Sequence, residues 1–168
     1  MKASVGAAAI NAFYNNADTW KQNGAFRQTM WKIISGENAF DGYAQAVKGK
    51  KAAVIGHFHK LEKYLKGAGE LSILERRPMD GDYPDSACEY ILPEQDFVFI
   101  TGATLINKTL PRLLKLSEKA HVVLVGPSTP MTPILFEYGV NEISGFLVCN
   151  KEGAVDAASV AGHDSFFR

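Results

Sequence analysis

Two histidines and a glutamate are the side chains best placed by type and spacing to do chemistry. The run Lys51-Ala-Ala-Val-Ile-Gly-His-Phe-His-Lys60 ends an apolar stretch on Gly56 and then sets His57 and His59 two residues apart. Nineteen positions after Gly56, Glu75 closes the next apolar run, Leu71-Ser-Ile-Leu-Glu75. A carboxylate there offers two oxygens at a fixed spot, the arrangement nucleotide-binding folds use to accept a ribose diol. The alternative for Glu75 is an ion pair with Lys60, Arg76 or Arg77. Neutral imidazoles can hydrogen-bond neighbouring backbone or a ligand, and can move a proton near neutral pH. Metal binding by the His57/His59 pair depends on whether the turn puts both on one side, since a strand would and a helix start need not.

Two further loops supply donors for anions. Thr101-Gly102-Ala-Thr104 runs on to Asn107-Lys-Thr109, and Gly126-Pro127-Ser128-Thr129-Pro130 follows the next apolar run. Their hydroxyls and backbone N–H groups suit phosphate or carboxylate oxygens, although Thr109 and Thr132 read first as helix caps. A nucleophilic serine lacks its G-x-S-x-G elbow, and a dinucleotide site lacks its G-x-G-x-x-G. Asp80 and Asp82 could belong to a hard-cation loop but read better as a solvated turn. His121 and His163 read as surface residues.

The elements that must hold these loops follow from the apolar pattern. Ala52–Ile55, Leu71–Leu74, Phe97–Ile100, Val122–Val125 and Ile143–Val148 are expected as five strands, too continuously apolar to keep a wet face. Helical spacing predicts Phe58, Leu61 and Leu65 on one face of a helix starting right after the first strand. A shorter helix carries Ala87, Tyr90 and Ile91, with Pro84 in its first turn and Pro93 at its end. Thr109 starts a third, and Thr132-Pro133 starts a fourth that Gly139 stops, with Ile134, Leu135 and Tyr138 facing inward. The fold class is therefore α/β, a Rossmann-like doubly wound, mostly parallel five-stranded sheet, with the ligand edge at the carboxyl ends of its strands.

Residues 1–49 differ. Val5–Tyr14 is alanine-rich and helical in pattern, Phe26–Ile34 is apolar and helical, and 35–38 and 41–42 read as turns. The reading is a helical N-terminal segment at 1–49 and an α/β domain at 50–168. Ile10, Phe13, Trp20, Phe26, Met30 and Trp31 are more apolar surface than such a segment can hide on itself, so they are expected against the α/β domain or a second subunit of a homo-oligomer.

Composition narrows the partners. Of the 168 residues 46% are apolar and 21% charged, with eighteen basic and eighteen acidic side chains interspersed, which predicts one substantial core and no nucleic-acid stripe. No apolar run approaches the roughly 20 residues of a membrane span, and the first ten residues make no convincing export signal, so a cytoplasmic protein is expected. Cys88 and Cys149 stand apart without a Cys-x-x-Cys partner, as free thiols in a reducing compartment do.

Ordered motifs over roughly residues 50–150 carry a family resemblance. Val54-Ile-Gly-His-Phe58, Ile73-Leu-Glu75 with Pro78 and Gly81-Asp-Tyr-Pro84, Ile100-Thr-Gly-Ala-Thr-Leu-Ile-Asn-Lys-Thr-Leu110, and Val125-Gly-Pro-Ser-Thr-Pro-Met-Thr-Pro133 with Gly139 and Gly145 resemble the domain-of-unknown-function family labelled "putative heavy-metal chelation". The resemblance implies a Rossmann-like C-terminal domain, preceded in longer members by a small domain like the N-terminal domain of enolase. Val5–Asn15 is similar to the helix that follows that first domain, most of which is then missing, so a ligand cleft between the two would be only half present. His59 stands where the family commonly has proline, so the His-x-His pair is not a family metal site. The resemblance implies a protein binding a small anionic or metal-chelating ligand, with a divalent heavy metal as a candidate cofactor, and the loops at the carboxyl ends of the predicted strands give Gly56, His57, Glu75, Thr101, Gly102, Asn107, Gly126, Pro127, Ser128 and Thr129 as the expected ligand-binding set. The alternative is an enzyme acting on a nucleotide or S-adenosyl-type cofactor at the same edge.

Overall fold

A computed structural model of the chain describes residues 2–22 and 39–160. The expected helix at 26–34, the turn at 35–38, and Phe26, Met30, Trp31 and His163 lie outside the described residues, as does the side chain of Trp20.

The sheet has six strands, all parallel: β1 (Lys51–Ile55), β2 (Glu70–Glu75), β3 (Tyr83–Pro84), β4 (Phe97–Thr101), β5 (His121–Val125) and β6 (Glu142–Ser144), in the spatial order β3-β2-β1-β4-β5-β6. All five expected strands are present. The sixth, β3, has two residues, one of them a proline, and pairs with Leu74 and Glu75 at the sheet edge, where a missing N–H is tolerated. It is too short to leave an apolar signature. The last strand is shorter than expected, because beyond Ser144 the chain leaves the sheet and Val148 makes only an isolated bridge to Asn16.

From β1 the chain winds outward to β3, returns beside β1 as β4 and winds outward again. The direction of winding reverses between β1 and β4, the point at which such sheets open a crevice at their carboxyl edge. Alternation within the strands sends side chains to two cores. Ala53, Ile55, Leu74, Val98, Ile100, Val122 and Leu124 pack under Cys88, Leu92, Leu110, Leu113 and Leu135. Ala52, Val54, Ile73, Phe99, Val123 and Val125 pack under Phe40, Val47, Leu61 and Leu65. Burying each large apolar side chain contributes about 1.5–3 kcal/mol, so both faces hold the sheet rigid beneath its loops.

The helices depart further from expectation. After β1 the chain does not enter a helix: residues 57–60 form a loop, Lys60 takes a left-handed conformation (φ 61), and the helix is one turn, α3 (Leu61–Tyr64). The 85–94 region is a short helix α4 (Cys88–Ile91) flanked by 3-10 turns. It buries Cys88 and Leu92 and leaves Tyr90 84% exposed, while Pro84 belongs to β3 and Pro93 to the closing 3-10 turn. After β4 come α5 (Ala103–Asn107) and α6 (Leu110–Leu116). Thr109 precedes α6 as expected but caps nothing, its hydroxyl donating to Asn107 Oδ1 instead. Pro133–Tyr138 is a 3-10 helix, in which Leu135 is buried while Ile134 and Tyr138 face out. Thr132 makes no side-chain cap there. Helix α7 (Lys151–Val160) closes the described chain.

The N-terminal α1 (Lys2–Tyr14) and α2 (Ala17–Gln22) dock by a narrow contact. Asn15 is buried, its amide donating to the Thr129 carbonyl at 2.8 Å and accepting the Met131 N–H at 2.8 Å. Ile10 and Phe13 stay exposed, so they do not pack on the α/β domain of their own chain. Among the described residues, no helix is long and apolar enough to cross a membrane.

Candidate functional site

Gly56 ends β1 with φ 102, a conformation that side chains resist, and its N–H donates to the Leu74 carbonyl. That turn delivers His57 to the end of β2. There the His57 N–H donates to Glu75 Oε2 at 3.1 Å, while Glu75 Oε1 accepts the Arg76 and Arg77 N–H groups at 2.8 and 3.3 Å. Glu75 thus knits two loops through backbone donors. It forms no ion pair with Lys60, Arg76 or Arg77; Arg76 instead lies 3.7 Å from Asp85.

The His57 ring meets Asp82, which the sequence offered only as part of a cation loop or a solvated turn. Nδ1 lies 3.1 and 3.0 Å from the two oxygens of Asp82, whose side chain is only 2% exposed and also accepts the Met79 N–H at 2.9 Å. Asp82 sits in a tight turn: its N–H donates to the Met79 carbonyl, and Gly81 (φ 90) supplies the positive φ. The turn was expected, but Asp82 is not solvated, because β3 pins the residues after it to the end of β2. Asp80 remains on the surface. An acceptor-only carboxylate on Nδ1 fixes the proton there and turns Nε2 into the lone-pair nitrogen. Among the described residues, Nε2 has no hydrogen-bond partner.

A second missed residue is Phe58. A Cβ added at Gly56 would meet its ring at 3.5 Å and one at Gly126 (φ 97) would meet it at 3.4 Å, so the ring bridges the ends of β1 and β5 across Thr101 at the end of β4. Phe40 braces it edge-on, with ring centroids 5.3 Å apart. The helical spacing placed Phe58 correctly on the core it shares with Leu61 and Leu65 but gave no sign of this contact with the strand ends.

The structure therefore brings together Gly56, His57, Glu75, Thr101, Gly102 and Gly126 at one edge. Gly102 is held there by contact, because a Cβ would stand 2.5 Å from the Thr129 nitrogen and 2.6 Å from the Ser128 carbonyl carbon. Thr129 is fully buried, with an unpartnered hydroxyl, and Pro127 is the exposed tip of its loop. Asn107 lies at the far end of α5, its carbonyl oxygen taken by Thr109. His59 is exposed and is not paired with His57. No group of three or more His, Cys, Asp or Glu side chains among the described residues could enclose a metal ion. His57 offers a metal one ligand position, not a cage.

Comparison with known proteins agrees with this fold. The profile of a family described as "Putative heavy-metal chelation" matches residues 38–168. An uncharacterized protein of Methanocaldococcus jannaschii is 29% identical over 173 aligned residues, spanning all of this chain and 63% of the relative. A crystal structure of a DUF364-family protein with unknown function from Desulfitobacterium hafniense is 46% identical, with a TM-score of 0.82 over 98% of this chain and 64% of that one. A DUF364-family structure from Pyrococcus horikoshii, at 24% identity, shares the fold with a TM-score of 0.70 over 96% of this chain and 63% of that one. The chain thus spans less than two thirds of the length of these relatives.

Proposed function

The chain belongs to the family described as "Putative heavy-metal chelation", and from that premise we propose that the carboxyl edge of its sheet binds a small, anionic, metal-chelating ligand. His57 Nε2 would supply one donor to the metal that the ligand carries. The observation that carries this reading is the buried Asp82 carboxylate on Nδ1. Metal-bound histidines are oriented by such an acceptor, which also raises the basicity of the other nitrogen. With no cage of protein ligands at the edge, the remaining coordination falls to the ligand itself.

The surroundings suit that ligand. Phe58 gives a flat apolar platform, the Thr101 and Gly126 loops face the same edge, and Lys60 and Arg77 bring positive charge without an acidic partner among the described residues. Nothing comparable favours the nucleotide or S-adenosyl reading, since the Glu75 carboxylate already accepts three backbone N–H groups.

Calorimetry with Zn2+ alone and with nickel nitrilotriacetate, a chelate with open positions, tests the proposal. The chelate is expected to bind the wild type. His57→Ala should abolish that binding, and Asp82→Asn should weaken it about 10–100-fold, the usual range for a residue that orients a metal ligand. Binding that survives in both variants would overturn the proposal.

A further inference from the structure

A second concavity lies on one face of the sheet, between α6 and the 3-10 helix Pro133–Tyr138. It is an open groove of about 850 Å3, within the range of small-molecule sites. Leu105, Leu110, Leu114 and Leu135 line it, and Ile134 and Tyr138, 49% and 67% exposed, stand along it. These last two belong to the apolar pattern expected to face the core, yet they line this opening. Its polar side chains are those of Thr104, Lys108, Lys115, Ser117, Glu118 and Asn141. Lys108 stands in the connection between α5 and α6, and Lys115 and Glu118 lie near the end of α6. Neither lysine has an acidic partner among the described residues. Ser117 also lines the groove, and its hydroxyl is buried without a hydrogen bond.

We propose that this groove binds a small amphipathic monocarboxylate. The leucine-lined floor takes an apolar chain, and the single net positive charge of the wall is matched by a head group of one negative charge, a carboxylate. Two cations against one carboxylate leave the wall net positive, which disfavours an amine of the same length. The head group is assigned to Lys108, because Glu118, the one acidic residue lining the groove, follows Lys115 by three positions in the chain and is ten from Lys108. The apolar chain then runs along Leu105, Leu114, Ile134 and Tyr138. This site shares no residue with the His57–Asp82 edge.

The experiment is a titration with decanoate, kept below micelle-forming concentrations, read by amide chemical shifts and by calorimetry beside decanol and decylammonium. Saturable decanoate binding is expected, with shifts centred on Leu105, Leu114, Ile134 and Tyr138. Lys108→Gln should weaken it about tenfold and Lys115→Gln by less, while His57→Ala leaves it unchanged. Ile134→Trp, which fills the mouth from an exposed position, should abolish it, and Ile134→Gln, gentler to the fold, should weaken it severalfold. Shifts centred elsewhere, equal affinity for decanol or decylammonium, a Lys115→Gln loss as large as that of Lys108→Gln, or indifference to both Ile134 variants would overturn the proposal.

Discussion

Each edge of the sheet holds a histidine against a carboxylate, and the two pairs are built for different ends. At the carboxyl edge, His57 meets Asp82, whose side chain is 2% exposed and bound to backbone as well. At the amino edge, His121 Nε2 lies 2.7 Å from Glu142 Oε1, with 51% of the Glu142 side chain exposed and its second oxygen accepting the Tyr43 hydroxyl. Burial and this bond to Glu142 together push the Tyr43 phenol well above its ordinary range. A surface pair of that kind is worth little. The buried pair fixes a ring, and fixing a ring with one nitrogen left over is what a binding site needs. The same pairing of imidazole with carboxylate serves as surface fastening at one edge and as positioning at the other, and burial of the carboxylate decides which.

If that contrast is right, the carboxyl edge should tolerate change far less than the amino edge. Gly102→Ala would drive a methyl into the backbone of Ser128 and Thr129, and is expected to cost about 3 kcal/mol in denaturant unfolding. Gly49→Ala, at the amino edge with open space around it and φ 70, should cost only the left-handed penalty of about 1 kcal/mol. Equal losses would mean that the loops at the carboxyl edge are not locked as described.

The next largest contrast lies in the carboxylates themselves. Asp82→Ala removes a charged acceptor from both the His57 ring and the Met79 N–H, and is expected to cost about 2–3 kcal/mol. Glu142→Ala should cost under about 1 kcal/mol. Thermal unfolding of the two variants at pH 7 measures the difference, and a smaller loss at Asp82 than at Glu142 would break the comparison.

How much of this was legible in the sequence follows from what each signal depends on. The four longer strands, β1, β2, β4 and β5, could be read because strands buried on both faces must be apolar throughout, whereas β6, at the edge with no buried residue, was found with its bounds displaced. Gly56, Glu75, Thr101 and Gly126 could be placed because each ends such a run. Asp82 could not, since its burial depends on β3, a two-residue pairing that includes a proline and has no pattern to detect. Its one available signal was Gly81-Asp82-Tyr-Pro84, among the motifs carrying the family resemblance. Phe58 was half legible, since it packs on the same core as Leu61 and Leu65 but stands in the loop before their helix. Its spacing to Leu61 and Leu65 fits a helix, and Leu61 and Leu65 are buried as that reading requires, but Lys60 turns left-handed and frees Phe58 to cross the strand ends. Ile134 and Tyr138 fail similarly, because a 3-10 helix turns every three residues and does not keep a 3.6-residue stripe on one side.

A smaller effect concerns the cysteines. Burial first, and then the nearby Asp85 charge, push the Cys88 thiol from 9.0 up to about 11. An acid whose pKa is raised by folding leaves stability intact below the unfolded value. Cys88 should therefore begin to favour unfolding only above pH 9, with its contribution lost as the pH approaches about 11. At pH 8, iodoacetamide should modify exposed Cys149 and spare Cys88 until the protein unfolds. Equal labelling of both in the native protein would contradict the packing of α4.

The central claim is that Asp82 holds His57 with Nδ1 protonated and Nε2 open, whereas His121 is held by Glu142 through Nε2. Long-range 1H–15N spectra of the imidazoles near neutral pH read both tautomers directly, and adding Zn2+ shows which nitrogen the metal meets first. The expected result is the Nδ1–H form for His57 and the Nε2–H form for His121, with Zn2+ moving His57 Nε2 before any nitrogen of His59 or His121. An Nε2–H tautomer at His57, or a first response at another histidine, would contradict it.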